Sequence, residues 1–206
     1  MRFIALAALA ATGLLAQYTV APSEAPPPEV AAPISALLNK EGVKVTGPDG
    51  VFMEVWLVAK LPSGANSQES SVTLPMIPIG AVLGVVRFPG KGADRRAQTI
   101  KPGVYTMRYA DFPINGDHQG VAPQRDFAVL SPAGIDKDPK PPGDFDALMN
   151  LSRKTSGTPH PAVLSMWKQD SDFKPGLHLE GESDWVWNVK VGDVPLAIIL
   201  VGKASD

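Results

Sequence analysis

Proline and glycine cut this chain into short pieces, and that limits its fold more than any other feature. There are 21 prolines and 19 glycines among 206 residues. Proline cannot donate a backbone hydrogen bond, and glycine opens turn geometries closed to other residues. Long helices are therefore excluded over most of the sequence. Between the breaks lie apolar runs of strand length. Hydrophobic residues make up 44% of the chain and charged residues 19%, so these runs have a core to enter and the composition is not that of a disordered chain. The length suits one domain with a sizeable core.

The runs carry the marks of antiparallel strands. VKVTGPDGVFMEVWLVA, residues 43–59, predicts a hairpin turning at Pro48-Asp49-Gly50. Its second half is apolar on both faces, which predicts a central strand. Further strands are expected over 72–77, 81–88, 104–109, 126–130, 162–167, 177–180, 185–191 and 196–201. Tyr105, Met107 and Tyr109 alternate with Val104, Thr106 and Arg108, so the two sets face opposite ways. Gly192-Asp193, glycine first, predicts a type II′ turn between the last two strands. One helix is expected in DFDALMNLSRKTSG. Asp144 can cap its start, and Phe145, Leu148, Met149 and Ser152 share a face. Arg153 and Lys154 suit its last turn and Gly157 its stop. About nine short strands at this spacing predict an all-β fold: an antiparallel β-sandwich or jelly roll with one short amphipathic helix.

The first residues, MRFIALAALAATGLLAQ, have the form of a secretory signal peptide. Arg2 supplies the positive start, Phe3 to Leu15 is an uncharged apolar run, and Ala16 precedes the expected cut. The run is shorter than the ~20 residues of a membrane-spanning helix, so no transmembrane helix is expected in the mature form. The chain has no cysteine, so neither a disulfide nor a lipidated cysteine is available after export. Residues 17–35 are rich in proline and alanine and predict an extended segment. It reads as a spacer before a single domain over 36–206. The alternative is an arm that adds to the sheet edge of a neighbouring subunit and makes a homo-oligomer. The formal net charge is −2, one unit more negative once Arg2 is removed, which speaks against nucleic acid as a partner.

GDHQGVAPQRDF, residues 116–127, is the most varied stretch chemically. A carboxylate near a histidine can orient the ring, which makes Asp117 and His118 candidate binding residues. Arg125 and Asp126 follow at a strand start, either as an internal ion pair or as part of a site. His160 sits between Pro159 and Pro161 on a stiff turn. His178 shares a strand face with Glu180 and Glu182. Three imidazoles could hold zinc or copper if the fold gathered them. Their spacing matches no ligand motif, and each reads equally as a loop or wet-face residue. No nucleophile elbow, EF-hand or phosphate loop is present. Arg87, Lys91, Arg95, Arg96 and Lys101 form a basic stretch, read as a solvated loop or as a site for an anionic polymer. Trp185 and Trp187 alternate with polar residues and read as core.

GAVLGVVRFPG, QTIKPGVYTMRYADFPINGDHQGVAPQRDFAVLSP and TSGTPHPAVLSM resemble an exported bacterial β-rich family with no assigned activity. The resemblance spans most of the chain after residue 36. It implies a secreted β-sandwich domain and carries no catalytic residues with it. The expectation is a non-catalytic module for binding or assembly in the cell envelope or outside the cell. Its partner would be a protein or another envelope or extracellular component, and it would need no cofactor. The alternative is a periplasmic enzyme or carrier that holds a divalent metal through its histidines.

Overall fold

A computed structural model describes residues 17–112, 124–170 and 172–203. Residues 1–16, read as a signal peptide, and residues 113–123, which include Asp117 and His118, lie outside the described residues. Within them the chain forms twelve strands and two helices. The first half runs β1 (Thr19–Ser23), α1 (Ala32–Ser35), β2 (Gly42–Gly47), β3 (Gly50–Leu57), β4 (Val82–Phe88), β5 (Gly92–Ala93), β6 (Thr99–Ile100) and β7 (Gly103–Asp111). The second half runs β8 (Asp126–Pro132), α2 (Phe145–Ser156), β9 (Val163–Lys168), β10 (Gly176–Glu180), β11 (Asp184–Val191) and β12 (Val194–Val201).

Ten of the strands make one antiparallel sheet in the order β1-β2-β3-β4-β7-β8-β9-β12-β11-β10. The sheet curls until its two edges, β1 and β10, lie against each other, although no ladder joins them. One continuous sheet thus encloses a core as the two sheets of a sandwich would. The all-β expectation with one short amphipathic helix holds. Right-handed twist accumulating over so many strands brings the edges round.

Alternation sorts the side chains. Met53, Val55, Val86, Tyr105, Met107, Leu130, Leu164, Ile198 and Trp187 are buried in the one main cluster inside the curl. An edge-to-face series of rings runs through it, Trp185–Tyr18–Phe52–Phe88–Tyr105, with centroids 5.6 to 6.2 Å apart. Such pairs contribute about 0.5–1.5 kcal/mol each beyond their burial. On the outer side α2 packs Leu148 and Met149 onto Phe127, Val129 and Val163. The helix ends are as expected. Asp144 accepts from Ala147 N at 2.9 Å, and Gly157 closes the helix at φ 65°.

The hairpin β2–β3 turns through Pro48-Asp49, with Gly47 opposite Gly50. At the Gly192-Asp193 turn Gly192 takes φ 60°, the conformation the glycine-first pattern requires. Two expectations change. Residues 72–77 are not a strand, although Leu74 and Ile77 are buried. Pro75 and Pro78 break any ladder there, and the N–H groups of Thr73 and Leu74 donate to the Asp126 carboxylate instead. Within the segment expected as an extended spacer, Thr19–Ser23 form strand β1, paired along its length with β2, whereas Ala32–Ser35 form helix α1 and place Ile34 in the main core cluster. The extended form anticipated for 17–35 holds over β1 and not over α1. What β1 covers is the edge of this chain's own sheet, fastened by Trp56 Nε1 to Glu24 O at 2.7 Å and Ser23 Oγ to Glu54 at 2.7 Å.

Candidate functional site

The buried charged groups of the fold are occupied structurally. Asp126 is fully buried on β8. Its Oδ2 accepts from Thr73 N and Oγ1, both at 2.9 Å, and its Oδ1 accepts from Leu74 N at 3.1 Å and Tyr109 OH at 2.7 Å. This ties the long 60–80 connection across one end of the sheet. Burial, and then the charge of Asp126, hold the Tyr109 hydroxyl protonated far above its ordinary range. Arg125 does not pair with Asp126, because neighbours on a strand point to opposite faces. It donates Nε and Nη2 to Phe112 O and Nη1 to Ser70 O and Glu69. Across the ladder from Asp126, Asp111 has its carboxyl raised by burial against the lowering effect of Arg125.

A second arginine is wholly internal. Arg108 forks onto Asp136 at 2.6 and 2.7 Å and spends its other donors on the carbonyls of Gly80, Lys140 and Asp138. All five of its N–H groups are engaged, which pins the 133–143 loop. The basic stretch is likewise committed. Arg87 meets Glu54, Arg95 meets Asp184, and Arg96 meets Asp94. Asp94 also closes its own turn through the backbone N–H groups of Arg96 and Gln98. The polymer-binding reading of this stretch therefore loses three of its five charges to carboxylates of the fold.

His160 lies on the exposed connection from α2 to β9. Its carbonyl accepts from Ser156 Oγ at 2.6 Å and Thr158 Oγ1 at 3.1 Å, so the proline-flanked turn is a folding device. Ser156 is bonded to backbone and takes no part in a triad. Among the described residues no three His, Asp or Glu side chains gather as a metal site. His118, one of the three imidazoles of the metal alternative, lies outside the described residues.

His178 is the sequence candidate that lines a cleft. β10 and β11 turn an outer face to solvent, and Gln169, Asp172 and Phe173 lie beside it. Between them lies a cleft of about 450 Å³ bordered by Gln169, Asp172, Phe173, His178, Glu180 and Asn188. Glu180 joins His178 as the strand period foretold. Glu182 does not, because β10 ends at Glu180 and the chain has turned. It borders a second cavity of about 280 Å³ at the seam, with Tyr18, Leu179, Trp185 and Val201. Trp187 is core as expected. Trp185 is half-buried and forms a wall of this seam cavity.

Asn188, Gln169 and Phe173 escaped the sequence reading. Asn188 was legible only as the polar alternate of a strand, and nothing local shows that Gln169 and Phe173 come beside it.

The fold defines the class: an all-β domain built on one nearly closed antiparallel sheet. No protein-family model, curated protein or solved structure matches the chain.

Proposed function

We propose that this chain is an exported, non-catalytic module that binds or assembles with a component of the cell envelope or the extracellular space. The observation that carries the reading is the division of its polar groups. The buried acids and bases, Asp126, Arg125, Arg108, Asp136 and Asp94, are consumed in bonds that hold loops onto the sheet. The open polar groups lie on the surface, in the cleft over β10 and β11. The signal-like first residues support export, and with no cysteine the exported domain depends on its core alone.

Fractionation of cells expressing the full chain tests this. The mature protein is expected outside the cytoplasm, with a new N-terminus near residue 17 by mass spectrometry. Its melting temperature is expected to be the same with zinc, copper, calcium or chelator. Cytoplasmic retention of the intact chain, or a melting shift of several degrees with one metal, would overturn the reading.

A further inference from the structure

We infer that the outer cleft over β10 and β11 is a saccharide site, built to take a neutral pyranose ring. The inference rests on the binding-module reading and names what that module binds.

The first support is a mixture of unspent donors and acceptors. Asn188 is only 6% exposed, yet it borders the cleft. Its Oδ1 accepts from Gln169 Nε2 at 3.2 Å, and among the described residues its Nδ2 has no partner. That amide donor is open to solvent at the cleft and has a hydrogen bond to give to a ligand. His178 Nε2 lies 3.0 Å from Lys174 O. A carbonyl can only accept, so Nε2 is the donor in this contact, which fixes the ring beside the cleft. Glu180, exposed, adds a carboxylate that accepts only. Donor and acceptors side by side suit hydroxyl groups, each of which donates and accepts at once.

The second support is charge. Asp172, Glu180 and Lys174 border the cleft, and Lys190, over the Phe173 ring, brings a second ammonium group beside it. A small anion meets two carboxylates here, and a small cation meets two lysines. A neutral polar ligand meets neither penalty. The third support is Phe173, which borders the cleft and is steadied by Lys190 Nζ 5.4 Å from its ring centre. An apolar ring beside planar polar groups offers a surface to the C–H face of a sugar. The strands hold His178, Glu180 and Asn188 in place before any ligand arrives.

The test is titration of the mature protein with glucose, N-acetylglucosamine and cellobiose by calorimetry and NMR. Glucuronate and inorganic phosphate serve as charged comparators, and insoluble chitin and cellulose as polymer arms. At least one neutral saccharide is expected to bind at millimolar concentration or below. Binding is expected to weaken roughly tenfold in Glu180→Gln and in Phe173→Ala, about the effect of one good contact. Retention on an insoluble polymer would assign the ring to a polysaccharide, and binding of the soluble sugars alone would assign it to a free saccharide. Glu180 is exposed, so Glu180→Gln keeps the fold and separates loss of binding from loss of structure. The inference is overturned if no neutral saccharide binds, if both variants bind unchanged, or if a charged comparator binds better. Those results would leave the binding-module reading standing, since that reading fails by fractionation and metal dependence.

Discussion

At the scale of single residues, the fold depends on a few buried carboxylates with many donors. Asp126 satisfies two backbone N–H groups and two hydroxyls. Asp126→Ala leaves the buried N–H of Leu74 and hydroxyl of Tyr109, and the partly buried N–H of Thr73, without their acceptor. Each orphaned group costs about 1–3 kcal/mol, so a loss of about 3 kcal/mol or more is expected, read from the denaturant midpoint. Asp111 predicts the opposite sign. Its carboxyl is raised in the folded state, chiefly by burial, so the unfolded chain gives up that proton at lower pH than the folded one. The group therefore favours folding least once pH has risen through its raised value. Asp111→Asn is expected to melt higher than the wild type at pH 7. The gain should vanish on acidification below the ordinary aspartate range. A variant that melts lower at pH 7 contradicts this account.

At the scale of elements, α2 and β1 make contrasting cases. α2 is specified locally at both ends, by the Asp144 cap and by Gly157 at positive φ. Asp144→Ala is expected to cost about 1 kcal/mol, and Gly157→Ala a similar amount for forcing a Cβ into the left-handed region. Thermal melts of the two single variants check both figures, and the distance between the sites makes their sum a fair guide to the double variant. In β1 local preference supplies only the extended form, and the pairing comes from elsewhere in the chain. Residues 19–23 pair because the edge of β2 offers a ladder, with Glu54 and Trp56 ready to fasten them. Removing residues 17–24 bares that edge and leaves the Glu54 carboxylate without Ser23. The truncated chain is expected to self-associate, because an uncovered edge pairs with its like. Light scattering and sedimentation of the truncated and full mature chains measure it.

At the scale of the whole molecule, non-local pairing governs behaviour. β4 pairs with β7, β9 with β12, and β1 lies against β10 across nearly the length of the described chain. Refolding is accordingly expected over milliseconds to seconds rather than microseconds, followed by stopped-flow fluorescence of the tryptophans. With no cysteine in the chain, the rate is expected to be the same with and without reductant.

The sequence determined what depends on nearest neighbours along the chain. Alternation of apolar and polar residues, the Pro48-Asp49-Gly50 and Gly192-Asp193 turns and the caps of α2 are local signals, and each predicted its element. The same signals failed at residues 72–77. There the apolar pattern was that of a strand, yet the hydrogen-bond acceptor for the segment, Asp126, lies more than fifty positions away. They also placed Glu182 on the wrong face, since strand period says nothing about where a strand stops. Three features were decided by tertiary structure alone. The curling of the sheet brought β1 to β10. The long-range pairings consumed Arg87, Arg95, Arg108 and Arg125 in structural bonds. Gln169, Asp172 and Phe173 came beside β11 and made a cleft around Asn188. All three depend on which distant groups meet, and side-chain pattern along a strand carries a period and a face but no address for the partner.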